Sequence, residues 1–347
     1  MNKQRHKVLF SLLGVTGLFL TQWVTAAPAL PSSRGTPSAS DKTEIAAFVR
    51  YYARQMTAAT DSDAMVRARL RLLRPLKSST NPPSAEFIYD FGTRVNIDFT
   101  PLLAKPKTAL NAAITIGSIP DISMQAALQT ALQNPNPAVR YWGAKGLGNI
   151  FNQLLAIGPA YQQSIEAVQQ ALAVEPDPLV AEEMCAVLLT QNPVPPGTAN
   201  LATQALARAI AGYQDVVPDN LAIAGSLAAD LAVAVSHGAA LTAAQKNDAM
   251  HTTSQLMSYT AQYLKAGLLD SKQQFSAFST MAKAAAAMNA VTGTTNFSLS
   301  GLNAQSDPSL ILLRVNGITG AQGQAGLVQK LFPKVAIPPR ISALLPH

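Results

Sequence analysis

Two short proline-containing stretches decide the fold of this 347-residue chain, Asn134-Pro-Asn-Pro-Ala-Val139 and Glu175-Pro-Asp-Pro-Leu-Val180. They end two longer segments that align without gaps at an offset of 41 residues, SMQAALQTALQNPNPAV over residues 123–139 and SIEAVQQALAVEPDPLV over residues 164–180. Because a residue before proline is disfavoured in the helical conformation, one helix is predicted to end at Asn134 and another at Glu175. The second proline suits the first turn of the next helix, where its missing N–H has no partner to lose.

Each second helix carries an apolar stripe at helical spacing. In the first copy the stripe is Val139, Ala144, Leu147 and Ile150, and the second copy fills three of these positions with Val180, Cys185 and Leu188. A single helix pair cannot bury such a face by itself, so neighbouring pairs must stack against each other. The pattern therefore predicts two stacked helix pairs over residues 121–191.

The first copy resembles the turn and second helix of a HEAT-type (armadillo-like) repeat, through Asn136, Val139, Arg140, Ala144 and Leu147. The second copy keeps Asp177 and Val180 but has Ala181 in place of the arginine, so any ladder that links successive turns is expected to break there. A degenerate earlier copy has its inner helix over residues 108–116. The resemblance implies an all-α fold, an α-α superhelix (HEAT-like solenoid) with extra N- and C-terminal helices.

Composition shifts along the chain divide it into predicted regions. Asp41, with Glu44 three residues later, is predicted to cap the first helix, and one short helix is predicted near residues 322–332 of a proline-rich tail that is either loose or laid along the helices. The regions are a disordered linker (27–40), an N-terminal helical region (41–92), HEAT-like repeats (93–192), C-terminal helices (193–292) and an irregular Gly/Pro-rich tail (293–347).

The first 26 residues have the pattern of a secretory signal peptide. A basic start, with Lys3, Arg5 and Lys7, precedes an apolar run over residues 8–20, and small residues at Thr25 and Ala26 favour cleavage after Ala26. The run is too short for a stable membrane anchor, so none is expected after cleavage. A periplasmic or secreted location is predicted.

Residues suited to chemistry are sparse. His237, His251 and His347 are the histidines beyond the predicted signal peptide, and no known catalytic or metal-binding motif accompanies them. The single cysteine, Cys185, excludes an internal disulfide and falls on an apolar stripe, where a buried hydrophobe is expected. The sequence therefore predicts no enzyme activity, no cofactor and no metal site.

Two groups of residues are candidates for binding a partner. Residues 27–107 carry twelve Lys and Arg against seven Asp and Glu, and Arg67, Arg71 and Arg74 share one helical face that suits an anionic partner. A solvated helix face is the alternative. In the first repeat, Arg140, Tyr141 and Trp142 form a second candidate surface, although packing between repeats would also explain the two aromatic residues.

The favoured function is a non-enzymatic secreted or periplasmic scaffold that binds another protein, because solenoids present long surfaces to protein partners. Two alternatives are a helical-fold envelope enzyme that acts on cell-wall polymer, and an envelope-surface binder that uses the basic helix to reach an anionic envelope component. Nucleic acid is disfavoured as a partner by the predicted export signal.

Overall fold

The computed structural model describes residues 27–341 except 78–81, 191–193, 195, 213–219 and 322. The predicted signal peptide lies outside the described residues. Within them the chain is all-α, without a β-strand. The α-helices are α1 Ala39–Ala58, α2 Ser62–Leu73, α3 Ala85–Phe99, α4 Pro106–Gly117, α5 Gln125–Leu132, α6 Pro137–Leu155, α7 Gly158–Val174, α8 Pro178–Leu189, α9 Pro196–Gly212, α10 Leu221–Ser236, α11 Ala243–Lys265, α12 Ser271–Thr292, α13 Pro308–Thr319 and α14 Leu327–Leu331.

The second proline of each turn begins a helix as predicted, whereas α5 ends at Leu132, two residues before the predicted end at Asn134. Pro137 and Pro178 are the first residues of α6 and α8. The residue before each proline caps the helix: the Asn136 side chain accepts a hydrogen bond from the Ala138 N–H at 2.9 Å, and the Asp177 side chain accepts one from the Leu179 N–H at 3.0 Å. Such caps satisfy amide groups that have no partner inside the helix.

The helices contact each other in two rows. The even-numbered helices from α2 to α12 pack one against the next, and so do the odd-numbered helices from α5 to α13. In the odd row α1 packs on α3, which reaches α5 through a short 3₁₀ turn over Ile122–Met124. Pairs such as α5 with α6 and α7 with α8 join the two rows, and one connected cluster of buried apolar side chains extends from Ile45 to Val335.

The predicted apolar stripes are buried. Val139 and Val180 are 0 and 2% exposed. Exposed side chains at these two positions would have contradicted the predicted stacking of helix pairs. Cys185 is buried as expected, and burial is the main reason that the pKa of its thiol is raised. Among the described residues no helix combines the length and the apolar character needed to cross a membrane.

Two sequence predictions need correction. The first helix is capped by Ser38, not by Asp41. Asp41 is the third residue of the helix, and its carboxylate accepts a hydrogen bond from the Ser38 N–H at 2.8 Å. The capping box is therefore Ser38 with Asp41, three residues earlier than the predicted box of Asp41 with Glu44. The region after residue 292 contains α13 in addition to α14. The Asp307 cap followed by Pro308 explains why α13 begins inside a segment whose overall composition predicts irregular structure.

The end of the described chain lies along α11. The side-chain amide of Gln262 accepts a hydrogen bond from the Ile341 N–H at 2.9 Å and donates one to the Pro339 carbonyl at 3.3 Å. Val335 is buried against the core. Of the two arrangements expected for the proline-rich tail, the structure has the one in which it is laid along the helices, as far as Ile341.

Candidate functional site

Arg140 links the two repeat turns. Its Nε and Nη2 donate to the two carboxylate oxygens of Glu175, each at 2.7 Å, and its Nη1 donates to the Asn134 and Pro135 carbonyls at 2.9 and 3.0 Å. The Arg140 side chain is 14% exposed and that of Glu175 only 1%. The hydrogen bonds that Arg140 donates to Glu175 raise the pKa of Arg140. Because most of its donors are used inside the chain, Arg140 holds the turns together, and its contact with a partner stays a prediction.

Tyr141, Trp142 and Lys145 form a half-exposed cluster on α6, called the α6 patch below. The two rings meet edge to face with their centres 6.2 Å apart, and the Lys145 ammonium lies 5.4 and 5.5 Å from the Tyr141 and Trp142 ring centres. Lys145 also donates to the Tyr141 hydroxyl at 3.3 Å. Cation–π contacts of this kind hold an ammonium group in place over the aromatic surface.

Trp142 also serves the packing between repeats, the alternative that the sequence left open. A Cβ added to Gly117 of α4 would lie 3.0 Å from the Trp142 carbonyl oxygen and 3.5 Å from its ring. Both aromatic side chains contact the core while remaining partly exposed. They can therefore pack against α4 and still offer an edge to a partner.

The positions of the α6 patch change chemistry in the second repeat. At the offset of 41 residues, Glu182 and Glu183 replace the two aromatic residues on α8. Glu182 accepts a hydrogen bond from the Ser226 hydroxyl at 2.7 Å. Nearby Asp230 of α10 has its pKa raised to about 6, first by burial and then by the charge of Glu182, while Lys283 of α12 opposes the rise. The even row therefore passes from an aromatic and cationic surface to an acidic one.

The predicted basic face is exposed. Arg67, Arg71 and Arg74 all lie on the surface of α2 or just after it, and no ion pair joins them to an acid among the described residues. Between them Arg69 is half-buried and donates to the Asn111 side chain of α4 at 2.8 Å. This bond ties α2 to α4 beside the three exposed arginines.

Two further exposed arginines lie on α1. Arg50 and Arg54 are exposed and line a groove against α3, where Asp98 is already paired with Arg94 at 2.7 Å. Their spacing of four residues places them on one helical face, which is the signal that the sequence offers for them.

No protein-family model matches the chain, and the comparison with curated proteins finds no similar sequence. Among the described residues no three His, Cys, Asp or Glu side chains form a group that could hold a metal ion.

Proposed function

We propose that the protein is a HEAT-like helical-repeat scaffold, an α-α superhelix that acts outside the cytoplasm by binding another protein without catalysis. The observation that carries the proposal is the contact scheme, in which helices of both rows pack successively from α1 to α13. Such an arrangement spreads its surface over many repeats, which suits the binding of extended partners.

The partner surface is proposed to lie on the even row from α2 to α6. The α6 patch supplies aromatic edges, which are enriched at the centres of protein interfaces, and the Lys145 ammonium group lies against them. Arg67, Arg71 and Arg74 supply positive charge at the other end of this surface, and the Arg69–Asn111 bond connects the two parts through α4. An interface that begins at α6 and continues over α2 therefore favours a partner with an acidic rim.

A capture experiment with matched variants tests the proposal. The chain from residue 27 is tagged and incubated with envelope extract at low and moderate salt, beside a variant with Tyr141→Ala and Lys145→Glu. Lys272→Glu on α12 is the control, since Lys272 is exposed and lies far along the chain from the patch. We expect a protein that the parent and control retain at moderate salt and that the patch variant binds about tenfold less.

A captured set that is identical for all three chains would contradict the α6 patch as the partner surface. Trp142 is left unchanged because it packs on α4, so its loss would mix binding with stability. An empty capture would instead favour an envelope polymer as the ligand.

The second candidate is binding to an anionic envelope component, and the exposed, unpaired arginines of α1 and α2 favour it. Its test is sedimentation with vesicles that contain anionic lipid, compared with a variant with Arg67→Gln, Arg71→Gln and Arg74→Gln. Association that falls steeply with salt and disappears in the variant would support it, because exposed charges are screened by salt. Unchanged association would remove it.

A further inference from the structure

A cavity of about 480 Å³ lies between α9 and α11, beyond the second repeat. The end of α7 closes one side of it through Ala173, and the other walls come from both long helices. Its volume falls within the range of small-molecule sites. None of the residues of the α6 patch or of the basic face lines it.

Arg208 stands at the rim of this cavity in a fixed orientation. Its Nη1 donates to the Ala173 carbonyl at 3.0 Å and its Nη2 to the Leu172 carbonyl at 3.5 Å, both in the last turn of α7. A guanidinium has five N–H donors, so these bonds orient the group and leave others for a ligand. No salt bridge joins Arg208 to an acid among the described residues. A planar, held guanidinium is suited to a carboxylate.

Asp248 and His251 face the same cavity from α11. They are three residues apart, which places them on one face of the helix. In the described part of the chain neither the Asp248 carboxylate nor the His251 imidazole has a hydrogen bond or an ion pair. Asp248 is exposed, and its carboxylate can only accept hydrogen bonds. An ammonium group of a ligand would replace water as the donor and add the opposite charge.

The rest of the lining is part apolar and part polar, the polar side chains being those of Thr203, Gln204, Gln245 and Thr252. Leu201, Ala207 and Ala211 of α9 supply apolar surface to the cavity. A ligand that brought a single charge would leave either Arg208 or Asp248 without a partner. A ligand that brought both charges would satisfy both, with an apolar part against the alanines.

We propose that the cavity between α9 and α11 binds a small zwitterionic amino compound, an amino acid or short peptide, with its carboxylate on Arg208 and its ammonium group on Asp248. His251 lies beside Asp248 and supplies a further hydrogen-bonding group to the amino end. This site is separate from the proposed protein-binding surface, so either proposal can fail without the other.

The test uses three probes that differ by one charge each: the dipeptide Ala-Leu, its N-acetyl form without the ammonium group, and its C-terminal amide without the carboxylate. Binding to the chain from residue 27 is measured by isothermal titration calorimetry at low salt. We expect Ala-Leu to bind about tenfold or more tightly than either derivative. Equal binding of the three probes, or binding of none, would overturn the proposal.

Two variants then assign the charges. Asp248→Asn should weaken Ala-Leu binding to the level of the N-acetyl form and leave binding of the N-acetyl form unchanged. Arg208→Gln should weaken Ala-Leu binding to the level of the C-terminal amide and leave binding of the amide unchanged. Asp63→Asn, an exposed acid in the first turn of α2, is the matched control. A loss in the control as large as that in Asp248→Asn would contradict the site. If Arg208→Gln fails to fold, the probe series on the parent chain and Asp248→Asn still decide the result.

Discussion

The two repeat copies, residues 123–147 and 164–188, share their turns and differ in how they meet their neighbours. The shared positions are the two capping residues, the prolines that begin α6 and α8, and the buried pairs Val139 with Val180 and Leu147 with Leu188. Positions that differ include Arg140 against Ala181, Tyr141 and Trp142 against Glu182 and Glu183, and Gly146 against Val187.

The differences are concentrated where one pair touches the next. Gly146 approaches Gly117 of α4 so closely that an added Cβ would lie 2.8 Å from the Gly117 Cα. Val187 of α8, its counterpart, meets the preceding even helix less closely, since its Cγ2 lies 3.3 Å from the position of a Cβ on Gly148 of α6. Capping and burial within a pair are thus repeated, whereas each junction between pairs is built from its own residues.

The largest expected effect is on the link between the two turns. Arg140→Ala leaves the Glu175 carboxylate buried with only the Asp177 N–H as a hydrogen-bond donor at 2.9 Å. Removing one partner of a buried ion pair costs about 3 kcal/mol or more. We expect a loss of this size in the free energy of unfolding, measured by urea denaturation followed by circular dichroism.

The second turn provides the comparison for that variant. There Ala181 replaces the arginine, and Arg208 of α9 instead binds the carbonyls at the end of α7. Because Arg208 is exposed and pairs with neutral groups, Arg208→Ala should cost about 1 kcal/mol. The double variant Arg140→Ala with Glu175→Ala should be more stable than Arg140→Ala alone, since it removes the buried unpaired charge. An equal loss for the two arginine variants would mean that the ion pair adds nothing beyond its hydrogen bonds.

The next effect concerns the close crossing of α4 and α6. Gly146→Val places in the first copy the residue that the second copy has, but its Cβ would collide with the Leu128 side chain and with Gly117. Overpacking of this kind costs about 1–3 kcal/mol. We expect a lower urea midpoint for this variant.

Gly148→Ala is the matched control on the same helix. Its Cβ would meet only the tip of Val187, at 3.3 Å, and alanine favours the helix over glycine by about 1 kcal/mol. The control should therefore be neutral or slightly stabilising. If both substitutions lower the midpoint equally, the loss would come from α6 itself and not from its crossing with α4.

Much of this architecture could be predicted from the sequence because local chemistry encodes it. The prolines with their Asn136 and Asp177 caps mark helix starts whatever the tertiary structure. The Ser38 cap was missed because Ser38 and Asp41 both suit a capping position, and only the backbone shows which one precedes the helix.

Contacts between helices were harder to predict. The Arg140–Glu175 pair joins residues 35 positions apart, and a partner at that distance depends on the register in which two pairs stack. The offset of 41 residues aligns Glu175 with Asn134, which places it in the adjacent turn, so this signal was available in the repeat itself. The cavity between α9 and α11 carried no comparable signal, because Arg208, Asp248 and His251 come from helices outside the recognisable repeats.

The smallest expected effect on stability concerns Asp230 of α10, which lies near Glu182 of the second copy. Asp230 has a pKa of about 6, raised mainly by burial, so the folded chain binds a proton more readily at this carboxylate than the unfolded chain does, whose value is about 3.9. The favourable contribution of the protonated form is present at low pH and is lost as the pH rises through about 6. At neutral pH the folded chain then carries a carboxylate in unfavourable surroundings. Because the group is only half-buried, solvent screening reduces the cost to about 1 kcal/mol.

Asp230→Asn removes this charge while keeping the shape of the side chain. At pH 7.5 we expect the variant to be more stable than the parent by about 1 kcal/mol, and the difference should shrink between pH 6 and pH 4, as the parent takes up its proton. Urea denaturation at several pH values measures it. Asp63→Asn is again the control, because Asp63 is exposed at the opposite end of the even row. If the gain in stability stays constant over this pH range, it comes from packing, and the Asp230 carboxylate carries no electrostatic cost.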